Sequence, residues 1–108
     1  QYTERIKSEL IIAANLLGEI GELEGDELAG AEKIMLSLLR ALQGETRIAH
    51  NVLGMRNFGE AGNKVEEVAE RVRSREYLEA TRRISEAISL ITTGGHQATE
   101  VLKEKGLL

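Results

Sequence analysis

Two carboxylates three residues apart, Glu19 and Glu22 in Gly-Glu-Ile-Gly-Glu-Leu, are the first side chains able to do chemistry. Residues at i and i+3 share one face of a helix. Carboxylate oxygens gathered on one face are the donors a hard cation such as Mg²⁺ takes, and a cation held there activates water or polarises a phosphate. Glu19 and Glu22 are therefore the candidate metal ligands. A second group is basic. Arg71, Arg73, Arg75, Arg82 and Arg83 crowd into 13 residues with only Glu76 and Glu79 against them, a local balance of +3 in a chain of net charge −4. Such a corner can hold RNA phosphates or another anion. It can equally pair with Glu67, Glu70 and Glu79 at helical spacing, or meet the Glu-rich face of a second subunit. Nucleic-acid-binding domains are usually basic as a whole, so ion pairing or subunit contact is the expected use and nucleic acid is not the expected partner. His50 and His96 are the only histidines, in neither an H-x-x-x-H nor an H-E-x-x-H arrangement, and the chain has no cysteine. The pieces GEAGN and TTGGH lack the Lys of a phosphate loop, and no serine sits in G-x-S-x-G. No cofactor and no catalytic set is expected.

Residues 18 to 23, GEIGEL, resemble the E-x-x-E half of the MazG-type nucleotide pyrophosphatases, all-α enzymes that hold Mg²⁺ with helix carboxylates. The resemblance implies a metal-dependent nucleotide hydrolase with Glu19 and Glu22 as ligands. The family's second half is E-x-x-D. Here the only Asp is Asp26, with no Glu at position 23, and Glu67-x-x-Glu70 and Glu76-x-x-Glu79 are the nearest substitutes. Gly54-Met55-Arg56-Asn57 resembles the G-x-R-N lead-in of the HEPN-type helical ribonucleases. That family needs a histidine a few residues after the arginine, where this chain has Glu60, Ala61, Gly62 and Asn63.

The elements that must position these residues are helices. Proline is absent, and 17 of the 18 acids are Glu, a better helix former than Asp. Apolar residues recur at 3-4 spacing, the mark of one buried stripe. A first helix is expected over Thr3 to Leu17, with Ile6, Leu10, Ala13 and Leu17 inward. Residues 18 to 26 read as a loop, with Asp26 as the N-cap of a second helix from Glu27 to Gln43. Gly44 is a candidate stop, although one Gly costs a helix only about 1 kcal/mol, so the helix can run on towards Asn57. Segment 45 to 57 is less regular, with Ile48, Val52 and Met55 expected inward.

The last half of the chain repeats itself. Residues 56 to 72 and 75 to 91 align at an offset of 19, pairing Phe58 with Tyr77, Glu60-Ala61 with Glu79-Ala80, Val65 with Ile84 and Val72 with Ile91. The sequence of an aromatic, then Glu-Ala, then an aliphatic stripe is similar to a tetratricopeptide hairpin helix, at a shorter period than that family's. A 19-residue shift rotates a stripe by about 100°, so one straight helix could not bury both copies on one side. A turn at Arg73-Ser74-Arg75, with Ser74 as N-cap, is favoured over a continuous helix from Glu60 to Thr92. Gly94-Gly95 is expected to end the helix, with a short one following from Gln97 to Lys105.

The 108 residues suit one domain, a single all-α up-and-down bundle of four to six helices with a 19-residue helix duplication. The expected core is Leu10, Leu17, Leu38, Leu42, Val52, Val65, Val68, Ile84, Ile88 and Ile91. With no cysteine, no basic-apolar leader at Gln1 and no apolar run long enough for a bilayer, a cytoplasmic protein without a membrane partner is expected. A start at Gln1 rather than Met suggests trimming. Abundant Glu, Arg and Lys suit a thermophile's ion-pair networks. The apolar stripes of the first two helices are wide for a small bundle. The leading expectation is thus a non-enzymatic interaction or scaffold module, a homodimer or the partner of another helical protein. The metal-dependent hydrolase and the RNA-associated protein are the alternatives.

Overall fold

The computed structural model describes residues 2–104, with side chains from 3 to 92. It is all-helical: α1 (Tyr2–Ile20), α2 (Gly25–Leu53), α3 (Arg56–Arg73) and α4 (Tyr77–Glu104), with no strand among the described residues. None of these helices is long and apolar enough to cross a membrane. The intervening turns span only 21–24, 54–55 and 74–76, so each helix folds back along its predecessor. The helices form a ring. α1 packs on α2, α2 on α3, α3 on α4, and α4 returns to α1; among the described residues the diagonal pairs do not pack backbone against backbone, and α4 reaches α2 through the Tyr77 side chain. The α3–α4 contact is the most extensive and the α1–α2 contact the least.

The 3-4 stripes fill the centre of the ring. Ile6, Leu10, Ala13, Leu17 and Ile20 come from α1, and Leu28, Met35, Leu39, Leu42 and Ala49 from α2. Phe58, Ala61, Val65, Val68 and Val72 of α3 meet Ala80, Ile84, Ala87 and Ile91 of α4. Seven of the ten expected core residues are buried. Leu38 and Ile88 are only half-buried, and Val52 is exposed. The exposure of Val52, and of Ile48, has one cause. α2 runs through Gly44 without a break, and its buried line continues Leu42, Thr46, Ala49. That register turns Ile48 and Val52 outward, and Met55, past the end of the helix, is half-buried.

The helix ends correct several expectations. α1 continues through Gly18 to Ile20, because burying Ile20 offsets the modest cost of a glycine. Asp26 is not the N-cap of α2. Glu24 holds that place, Gly25 is left-handed at φ +60, and Asp26 and Glu27 lie in the first turn, where the helix dipole favours acids. α2 ends at Gly54, whose φ of +67 suits a residue without Cβ and whose N–H donates to the His50 carbonyl at 2.8 Å. Ser74 closes α3 rather than opening α4, and the Glu76 carbonyl accepts the Ala80 N–H at 2.9 Å. Gly94-Gly95 does not stop α4, which runs to Glu104 and absorbs the separate helix expected from Gln97. Lys105 lies outside the described residues.

The turn before α4 is held under strain. Arg75 is the one non-glycine described at positive φ, +57, a conformation costing an L-residue about 1–2 kcal/mol. Its Nε donates to Glu32 Oε1 of α2 at 3.3 Å, and the Tyr77 hydroxyl donates to the same oxygen at 3.1 Å. One carboxylate therefore pins the α3–α4 turn to α2. Arg75→Gly relieves the backbone while losing the ion pair, and Arg75→Ala only loses it. The glycine variant should be the more stable of the two by about 1 kcal/mol in urea unfolding. Equal midpoints would contradict the strain.

Candidate interaction surface

The two candidate metal ligands do not share a helix face. Glu19 lies in the last turn of α1, and Glu22 lies in the turn beyond it, its N–H bonded to the Glu19 carbonyl at 3.1 Å. Both side chains are exposed. Among the described residues no three His, Cys, Asp or Glu side chains gather where they could hold an ion. Glu19 instead borders an apolar groove between α1 and α2, whose walls include Leu16, Leu23, Ile34 and Leu38.

The arginine corner is largely spent inside the chain. Arg83 hydrogen-bonds Glu67 across the α3–α4 seam and pairs with Glu79 at 3.4 Å, which also holds Arg82 at 3.4 Å. Lys64 extends this network from Glu67 at 3.7 Å to Glu86 at 3.2 Å. Arg71 reaches Glu76 at 3.5 Å, and Arg75 is bound to Glu32. Arg73 is exposed and makes no ion pair with a described residue. Of the acids expected to pair, Glu67 and Glu79 do; Glu67 meets its arginine, Arg83, across the seam and Lys64 along its own helix.

His50 is half-buried at the α2–α3 end. Its Nδ1 donates to the Met55 carbonyl at 2.9 Å, which fixes the proton on that nitrogen because a carbonyl only accepts. The imidazole braces the turn after α2. The side chain of His96 lies outside the described residues.

The α1–α2 seam carries a different chemistry. Arg5 lies 3.7 Å from both Glu9 and Glu45, so two carboxylates share one guanidinium. Burial raises the Glu9 pKa above its ordinary 4.5, and a hydrogen bond and repulsion from Glu45 raise it further against the lowering charge of Arg5. Folded Glu9 thus binds its proton more tightly than unfolded Glu9. The stability this adds is fully present below about pH 4.5 and is lost as pH rises through the raised value. Glu9→Gln should flatten the fall in melting temperature as pH rises from 4.5 towards neutrality, relative to the parent; identical slopes would contradict the raised Glu9 pKa.

Beside this seam lies most of the exposed apolar surface. Of the eight large hydrophobic residues exposed among the described side chains, seven belong to α1 and α2, among them Ile12 (55%), Ile34 (74%), Ile48 (53%) and Val52 (62%). Their placement follows from two parallel lines on α2. Met35, Leu42 and Ala49 recur every seven residues and are buried; Ile34, Ala41 and Ile48 precede each by one position and face out. A one-residue step turns about 100° around a helix, so the second line is a separate apolar face, not a margin of the core. That spacing is present in the sequence, but Ile34 reads as a widening of the Met35 stripe and Ile48 as inward until the buried register is known.

No protein-family model, curated protein or solved structure matches this chain. The reading of its function rests on its own surface.

Proposed function

We propose that this chain is a non-enzymatic helical interaction module, an up-and-down bundle that self-associates as a homodimer through the outer face of α1 and α2. The exposed isoleucines of that face carry the reading, since contiguous apolar surface on a folded chain marks a contact site. α3 and the first part of α4 are read as two copies of one helix, because the paired positions Ala61/Ala80, Val65/Ile84 and Val72/Ile91 are all buried. The network through Glu67, Arg83 and Glu79 suits a cytoplasm at high temperature, where dehydrating charges costs less.

The test is light scattering over a concentration series, with and without Mg²⁺. The parent should rise from monomer to dimer mass whether or not metal is present. Ile34→Glu and Ile48→Glu should each weaken association about a hundredfold, because an unpaired carboxylate buried in an apolar seam costs several kcal/mol. A parent that stays monomeric at high micromolar concentration would overturn the reading.

A further inference from the structure

The outer face of α2 has a pattern that nothing within the chain explains. Positions 30, 34, 37, 41, 44, 48 and 51 are Gly, Ile, Ser, Ala, Gly, Ile and Asn. Their alternating 4-3 spacing is that of a coiled-coil seam. The line stays uncharged for about 32 Å of helix at 1.5 Å per residue, in a chain that is 30% charged. Two of its members are mid-helix glycines, each costing about 1 kcal/mol relative to alanine. A Cβ added at Gly30 or Gly44 would meet nothing within 4 Å. No neighbour inside the molecule requires their smallness. A second helix lying close against this face would.

The charges flanking the seam choose the direction. Along one edge stand Lys33, Arg40 and Arg47, seven apart, exposed and without an ion pair to any described residue. Along the other stands Glu45, with Glu9 and Glu19 of α1 beyond it. If two copies met antiparallel, like edges would face each other and the three cations would oppose three cations. If they meet in parallel, unlike edges face, and the usual cross-pair joins a residue to the one five positions on in the partner. For Arg40 that residue is Glu45. The Glu45 side chain is 30% exposed and shares Arg5 with Glu9 at 3.7 Å, so its open edge can take a second cation. Lys33 also stands near the level of Glu19, which borders the same groove as Ile34.

We propose that a second copy of this chain docks on α2 in parallel, with the two-fold axis along the helix. Ile34, Ala41 and Ile48 meet their counterparts, and Arg40 of each copy reaches Glu45 of the other. The assignment rests on the self-association reading and gives it a register.

Because the chain has no cysteine, one introduced thiol reports that register. Ser37 is exposed on the seam, and parallel docking sets it beside its own counterpart. Ser37→Cys should form a covalent dimer under mild oxidation, and Ser85→Cys, exposed on α4, should not. Antiparallel docking centred on Ala41 would separate the two thiols by about 12 Å of helix and leave them unlinked. Charge exchange gives a second reading that does not depend on disulfide geometry. Arg40→Glu and Glu45→Arg should each weaken self-association roughly tenfold, and mixing the two variants should restore a dimer containing one of each. Circular dichroism of each variant checks that the helices are intact. A parent that dimerises while Ser37→Cys fails to link and both charge variants behave as the parent would overturn this surface and leave self-association standing. A parent that is monomeric throughout would overturn both.

Discussion

Phe58→Ala is expected to remove about 3–5 kcal/mol of stability, a large part of the 5–15 kcal/mol typical of a folded domain. Phe58 stands in the first turn of α3, fully buried, and heads the core by size. No other aromatic among the described side chains is buried. Truncation would open a cavity where α2 and α3 converge, beside Thr46 and Gly62, and both neighbours are held by helical backbone that cannot collapse to fill it. Its counterpart in the internal repeat behaves differently. Tyr77 is half-buried, and its hydroxyl donates to Glu32. Tyr77→Phe should cost only about 1 kcal/mol, the usual worth of one hydrogen bond. Leu78, 84% exposed, sets the baseline, with Leu78→Ala within about 0.5 kcal/mol of the parent. Urea midpoints for the three variants check the order. A Phe58→Ala no worse than Leu78→Ala would contradict the packing of α2 on α3.

The second large effect is expected at Gly62. A Cβ there would lie 2.8 Å from the Thr46 hydroxyl oxygen, closer than real Cβ atoms come. Thr46 is fully buried, and its hydroxyl donates to the Gln43 carbonyl at 2.8 Å, so it does not swing away freely. A Cβ at Gly59, one turn earlier, would lie 3.3 Å from the His50 ring, a tight but milder contact. Two glycines on α3 thus set how closely it approaches α2. Gly62→Val should cost about 2–3 kcal/mol through overpacking. Gly62→Ala should cost less, and Thr46→Ala should recover part of that loss, a favourable coupling in a double-mutant cycle. Gly30→Ala, in open space, should instead stabilise the isolated chain by about 0.5–1 kcal/mol. If Gly62→Ala stabilised it equally, the close approach would be wrong.

These contrasts show how far the sequence could be read. The 3-4 stripes of α1, α3 and early α4 were legible because one apolar line on each points to one core. The turn at 73–75 was legible from the 19-residue echo, since a rotation of about 100° forbids a straight helix. Its capping was not: Ser74 looks like an N-cap, and nothing local marks Arg75 as the residue that turns left-handed. The glycines misled in both directions. Gly18 and Gly44 sit inside helices, and Gly54 ends one, because buried neighbours on either side decide whether the helix goes on. The α2 surface was hidden by overlap. Ile34 beside Met35 widens one stripe, and Ile48 reads as inward, until the register of the buried line is known. At the candidate ligands, Glu19 and Glu22 were set on one face by spacing alone, and the chain leaves the helix between them.

The central claim is that the outer face of α1 and α2 is a contact between copies of this chain. Methyl-labelled isoleucine reports it most directly, because the isoleucines sample both environments: Ile6, Ile20, Ile84 and Ile91 are buried, and Ile12, Ile34 and Ile48 are exposed. On dilution from high to low micromolar concentration, the methyl resonances of Ile12, Ile34 and Ile48 should shift together along one binding curve while the buried four stay fixed. Resonances that are all independent of concentration, or shifts that spare Ile34 and Ile48, would contradict the account.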